Sequence, residues 1–405
     1  MSSALIPIFL IVLVDVFGLT LVLPLQAIYA ESLGASPLEA TMLVSVFAVC
    51  QLVASPLLGA WSDRVGRKKV LLFSQAGAVL GYLTMAMAPT LFVLYVARVI
   101  QGTTAGNLSI AQAYIADHTE AKDRAKSFAV IGIAFGLGFF VGPGVTGLLA
   151  GHGLSAPIFL AAGMSVLSFV CTLLILPKEN TPTRRQEDTV LPGGKRLSVF
   201  EWQQYRAYFK RPVLAWMLIQ FLCFSMCFTV FTSGFSLFAE RRYFFDGHRF
   251  GPREIGYVFA YTGFLGLILQ GALMGKLVKW VGERRLVTVG FVSLTVGFGL
   301  VAWTSAVLGL VVSATIATFG NAVLRPTLTS LISQSADRTQ QGTVIGLTQS
   351  LQSIAQIVAP FLGGLLLQRE WLWEWGMLAS LAALLGLLCG PLGSARASSA
   401  HQLGG

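Results

Sequence analysis

The chain has 405 residues, 55% of them hydrophobic and only 11% charged, with a mean hydropathy of +0.73. Soluble domains carry about 25% charged residues, so a water-soluble fold is excluded and the bilayer is the expected solvent. The formal net charge of +10 raises nucleic acid as a partner, which the placement of the basic residues then argues against.

A membrane span needs about 20 apolar residues. Span 1 (4–30) carries Asp15 near mid-depth, and span 2 (39–61) carries Gln51. A densely charged turn follows, with Gly59, Asp63, Arg64, Gly66, Arg67, Lys68 and Lys69. Span 3 covers 69–88, and span 4 (91–117) carries Arg98, Asn107 and Gln112. Span 5 (125–150) carries Gly138, Gly142, Pro143 and Gly147, and span 6 covers 155–177. Residues 178–211 break the apolar pattern. Leu197 to Phe209 within them is amphipathic, predicting a short helix on the membrane surface.

Six further runs follow. Span 7 (212–239) carries Gln220 and a helically spaced row of phenylalanines, and span 8 (254–278) carries Gln270. Span 9 covers 285–304, and span 10 (306–334) carries Asn321 and Arg325. Span 11 (340–367) carries Gln349, Gln352 and Gln356 on one helix face, and span 12 covers 371–394. The expected class is therefore all-α integral membrane, twelve spans in two pseudo-symmetric six-helix bundles. Residues 1–177 form one bundle, 178–211 a cytoplasmic linker, 212–394 the second bundle and 395–405 a tail.

Two repeats support the duplication. The charged turn recurs 216 residues later at Gly275-Lys-Leu-Val-Lys-Trp-Val-Gly282-Glu-Arg-Arg285. Gly142-Pro143 and Gly147 in span 5 are echoed 217 residues later by Ala359-Pro360 and Gly364 in span 11. With the N-terminus inside, cytoplasmic loops and tail hold 21 Lys and Arg and outer loops hold 5. This bias orients a membrane protein. It places both termini in the cytoplasm and accounts for the charge without a nucleic acid. The five cysteines lie in apolar runs without metal-ligand spacing, and the four histidines lie in loops or the tail. No metal, cofactor, catalytic residue or enzyme activity is expected.

Gly59-x-x-x-Asp63-Arg64-x-Gly66-Arg67-Lys68 resembles the signature between spans 2 and 3 of the major facilitator superfamily. Gly138 through Gly147 resembles the span 5 signature of its drug/proton antiporters, and Arg98-x-x-x-Gly102 resembles the span 4 signature. Asp15-x-x-Gly18 with Pro24 brings the chain nearest to the tetracycline/proton antiporters. The resemblance implies a proton-coupled antiporter of the cell's inner (plasma) membrane, working as a monomer by alternating access. Those antiporters carry acidic residues in spans 3 and 9, where this chain has Gly81 and Leu294.

A charge at the membrane centre costs about 2.5–3.5 kcal/mol and faces a cavity or partner. Asp15 is the candidate proton carrier, with a structural hydrogen bond as the alternative. Arg98 either tunes Asp15, holds an anion or links helices. Arg325 either lines the cavity or snorkels to the cytoplasm. The glutamine face of span 11 is expected as cavity lining, with hydrogen bonding between helices as the alternative, and Gln51, Asn107, Gln112, Gln220, Gln270 and Asn321 are weaker members of the same set. The phenylalanines of span 7 form either an aromatic wall for a lipophilic substrate or a row packed against lipid. Gly138, Gly142, Pro143 and Gly147 are expected to hinge span 5. Asp63 is expected to latch the two bundles at the start of span 11 through the helix dipole, with Gly59, Arg64, Gly66 and Arg67 in the same conformational gate, and Arg64, Arg67, Lys68 and Lys69 also signal topology. Two arginines against one carboxylate favour an amphipathic substrate that is neutral or an organic anion. Export against protons is the expected function; an uptake symporter or a facilitator of the same fold is the alternative.

Overall fold

The computed structural model describes residues 5–117, 124–176, 212–335 and 341–402, and these are almost entirely helical. The first group of helices is α1 (Leu5–Val22), α2 (Gln26–Ser32), α3 (Pro37–Val65), α4 (Arg67–Ala86), α5 (Leu91–Thr103), α6 (Asn107–Asp117), α7 (Arg124–Leu149) and α8 (Ala156–Ile175). The second is α9 (Pro212–Arg242), α10 (Pro252–Ile268), α11 (Met274–Val281), α12 (Glu283–Trp303), α13 (Val307–Gln334), α14 (Gln341–Gln368) and α15 (Leu372–Gln402). The predicted surface helix at 197–209 lies outside the described residues, and α15 runs on past the expected end of span 12.

Ten of the described spans are long and apolar enough to cross a bilayer, and α1 with α2, bent by 43°, makes an eleventh. The predicted span 4 is instead two short helices, α5 and α6. Spans 1 and 4 are thus broken where the sequence reads as continuous. Backbone groups freed at a break need partners inside a membrane, and both breaks have them. The carbonyl of Pro24 accepts from Ser236 Oγ at 2.7 Å. At the other break, Ser74 Oγ accepts from the Gly106 N–H at 2.9 Å and donates to the Thr104 carbonyl. Span 8 also departs from regularity, with a π-helical segment at Leu269–Leu273 between α10 and α11.

The duplicated turn is visible in the backbone. Gly66 alone joins α3 to α4 at φ 98° and ψ 145°, and Gly282 alone joins α11 to α12 at φ 83° and ψ 148°. These angles are natural for glycine and strained for other residues. Gly66→Ala is expected to cost about 1–2 kcal/mol, read as a lower melting temperature of the detergent-solubilised protein. At the opposite end α3 starts with a capping box, in which the Glu39 N–H donates to Ser36 Oγ at 3.3 Å and the Ser36 N–H to Glu39 Oε2 at 2.8 Å. The loop after α9, expected as a simple turn, forms a small hairpin. Phe244–Phe245 pairs with His248–Arg249 around Asp246 and Gly247, both at positive φ.

The phenylalanines of α9 pack inside the second group. Phe231 lies 4.6 Å from Phe235 and 5.1 Å from Phe298, and Phe238 lies 4.6 Å from Trp375. The expected packing against lipid is corrected here: Phe224, Phe235 and Phe238 are buried against neighbouring helices of the second group.

Candidate functional site

Asp15 of α1 points into the first group of helices. Gln75 of α4, Asn107 of α6 and Ser168 of α8 converge on its carboxyl. Gln75 Nε2 donates to Ser168 Oγ at 2.7 Å. Gln75 Oε1 and Asn107 Oδ1 are buried without a hydrogen-bond partner. A carboxylate here accepts N–H bonds from the amides, and a protonated acid donates to an amide oxygen. Both charge states of Asp15 therefore have partners. Asn107 belongs to this cluster, where the sequence reading had placed it along the cavity.

Arg98 of α5 is buried. Its Nη2 donates to Gln26 Oε1 and its Nη1 to Gln101 Oε1, the latter at 2.7 Å, while the guanidinium lies 6.0 Å from the Phe47 ring centroid. No hydrogen bond or ion pair joins it to Asp15 among the described residues. Tyr82 of α4 stands within electrostatic reach of both charges. Sequence reasoning missed Gln26, Gln75, Gln101, Tyr82 and Ser168. Each glutamine carried the same signal that singled out Gln51, a polar side chain in an apolar run.

Contacts between the two groups gather at the end that carries the hairpin. Arg241 Nη2 meets Glu31 Oε1 at 2.6 Å. Thr41 Oγ1 donates to the Pro360 carbonyl at 2.9 Å and Ser45 Oγ to the Ile357 carbonyl at 2.8 Å. A Cβ on Gly256 would meet the Pro143 carbonyl at 2.6 Å, and one on Gly147 would meet the Arg253 carbonyl at 2.9 Å. Gly138 and Gly142 serve a different contact, packing against Val16 and Thr20 of α1. Near the opposite end, a Cβ added at Gly59, Gly132, Gly275 or Gly346 meets nothing within 4 Å. Among the described residues, the contacts that join the two groups thus lie toward the hairpin end.

The charged turn is held locally. Arg67 Nη2 meets Asp63 Oδ1 at 2.5 Å, Arg67 Nη1 donates to Ser62 Oγ at 2.6 Å, and Lys68 Nζ reaches the Leu173 carbonyl at 2.9 Å. Arg64 is exposed. The expected latch from Asp63 to the start of span 11 falls partly outside the described residues.

Around the central space, Gln352 accepts from Ser225 Oγ of α9 at 3.0 Å. Ile357, Pro360 and Gly364 face α3. Gln349 and Gln356 fall on the line of α14 between these two contact directions, Gln349 exposed and Gln356 half-buried. This is the line that the sequence reading expects as cavity lining. Gln51 and Gln112 are half-buried, and Gln270 is exposed on the π segment. Gln220 does not join this lining: it is buried and donates to the Gly386 carbonyl of α15 at 3.0 Å, a bond within the second group. Arg325 is exposed, and Asn321 Oδ1 is buried without a partner.

The profile of the Major Facilitator Superfamily matches residues 8–360 and 248–399. The chain belongs to this superfamily of transporters. Among similar proteins of this kind, Multidrug resistance protein 2 of Bacillus subtilis (strain 168) is 28% identical, covering 89% of this chain and 88% of that protein. The class C tetracycline resistance protein of Escherichia coli is 28% identical, with 89% of each chain covered. Among solved structures, the human organic anion transporter MFSD10 (TETRAN) superposes with a TM-score of 0.70 at 23% identity, covering 96% of this chain and 99% of that one. This facilitator superfamily member is a multi-pass membrane protein.

The ion pair between Glu31 and Arg241 tests the closure. Removing it with Arg241→Gln is expected to weaken closure at the hairpin end by no more than about 1 kcal/mol, since the pair is partly solvated. Label distances across that end, measured by pulsed electron spin resonance, are expected to gain a longer component. Glu31→Arg combined with Arg241→Glu is expected to restore the short one.

Proposed function

We propose that this superfamily member is a proton-coupled antiporter that exports a small amphipathic compound across the inner (plasma) membrane. The observation that carries the reading is Asp15, an acid in mid-span whose amide neighbours Gln75 and Asn107 suit either charge state. The excess of basic residues at the turn end puts that end in the cytoplasm. The arrangement described above is then inward-facing. Substrate enters from the cytoplasm between the two groups, against Gln349, Gln356 and Arg325. Rocking of the groups exchanges the open end. Asp15 loads a proton on the outer side and releases it inside, so that each return stroke follows the proton gradient.

The names of the similar proteins, multidrug and tetracycline resistance, support export. Residues 1–177 and 212–394 act as the two rocking bodies of a monomer, and 178–211 links them. The test reconstitutes the full chain in liposomes and imposes a pH gradient of either sign. Export requires substrate to move against proton flow. Movement with the protons overturns antiport in favour of symport, and indifference to the gradient makes the protein a facilitator.

A further inference from the structure

The two arginines that lie within membrane spans differ in one decisive respect. Arg98 is buried, and both of its terminal nitrogens meet glutamine oxygens, leaving only its Nε without a partner. Arg325 is exposed, and its side chain makes no hydrogen bond or ion pair among the described residues. It lies 18 residues into the 28-residue α13, about 27 Å along the helix, toward the turn end. A bare guanidinium in hydrocarbon costs about 2.5–3.5 kcal/mol at a span centre. It is permanently charged and cannot escape by losing its proton. Water in the open space, or an anion, is what makes this position tolerable.

A second group on the same line of α13 also lacks a partner. Asn321, one turn away, has a buried carbonyl oxygen with no hydrogen bond, and a buried unpaired acceptor costs about 1–3 kcal/mol. These two polar groups, about 6 Å apart along the axis, lie on one line of α13, and neither has a side-chain partner among the described residues. Asp15, the carboxylate nearest mid-span in the other group, is turned into its own bundle against Gln75, Asn107 and Ser168. It is not in place to neutralise Arg325.

Resting on the transport reading above, we infer that Arg325 is the docking point for an anionic group, a carboxylate, sulfonate or phosphate, on an amphipathic substrate. Arg98 is a structural cation and takes no part in holding it. A guanidinium pairs with such groups through two parallel N–H donors, and a cation entering the same space meets an unneutralised positive charge.

The test uses the full chain in phosphatidylcholine vesicles without anionic lipid. Three probes share one fluorescent aromatic scaffold: a free carboxylate, its methyl ester and the corresponding primary amine. The carboxylate is expected to bind about tenfold more tightly than the ester, as one added charge-assisted pair supplies, and the amine more weakly than either. Arg325→Gln is expected to abolish the carboxylate's advantage and leave ester binding unchanged, and Arg325→Lys to keep part of it. Should Arg325→Gln fail to assemble, the same advantage in the unsubstituted protein is expected to shrink as salt rises from about 0.05 to about 0.5 M, with ester binding flat. Equal binding of carboxylate and ester, or an advantage that survives Arg325→Gln, overturns the inference. Phosphatidylglycerol added to the vesicles separates the two sources of anion: a substrate site keeps its preference, and loss of the preference assigns Arg325 to lipid headgroups and overturns the substrate assignment. Binding is read without a proton gradient, so failure of antiport and failure of this site are distinguishable.

Discussion

Asp15→Asn is expected to abolish uphill transport driven by a pH gradient while leaving downhill exchange measurable. Asparagine has the size of the acid and keeps hydrogen bonding with Gln75, Asn107 and Ser168, but it cannot carry a proton across. The substitution removes a mid-span ionisable group that costs about 2.5–3.5 kcal/mol when charged, so the variant is expected to fold and melt no lower than the original. Transport is measured in liposomes with an imposed pH step and, separately, with a substrate gradient alone. Asp15→Glu keeps the proton and is expected to retain partial coupling. Full uphill transport by Asp15→Asn would remove Asp15 from the mechanism and leave its amide neighbours a structural role.

Gly263→Leu is expected to disable closure of the hairpin end and to lower transport at least tenfold. The added Cβ collides with the Phe139 carbonyl on α7, a backbone atom that has no rotamer by which to move aside. The contact joins the two groups of helices and belongs to neither core, so each group is expected to fold. What is lost is the state in which α7 and α10 touch. Labels on the loop at 150–155 and on the hairpin at 244–249 are expected to separate. Gly163→Leu on the exposed face of α8 is the control: an added Cβ there meets nothing within 4 Å, and transport is expected to stay within twofold, about 0.4 kcal/mol. Normal activity of Gly263→Leu would mean that α7 and α10 separate and rejoin without close backbone contact.

Much of the architecture was legible in one dimension. Apolar runs of span length, the repeat offset of 216 and the matching glycines at Gly66 and Gly282 specify a duplicated helical bundle, because hydrocarbon leaves a chain few ways to satisfy its backbone. Asp15, Arg98 and Arg325 were legible for the same reason, each a costly charge in an apolar run.

Direction and partnership were decided by the fold. Gln220 and Gln349 look alike in sequence, yet one is buried and bonds the Gly386 carbonyl and the other is exposed. Which way a polar side chain points depends on neighbours far along the chain. The breaks at Pro24 and at Thr104–Gly106 were equally hidden, since the groups that satisfy them, Ser236 and Ser74, come from other helices. Sequence alone determined that this chain spans a membrane as a doubled bundle with three ionisable groups at depth. Only the tertiary structure decided that the terminal nitrogens of Arg98 meet two glutamines while the side chain of Arg325 meets no partner among the described residues. A hydrogen-bond partner is a fact of three-dimensional packing, whereas the cost of leaving a charge without one is written in the residue itself.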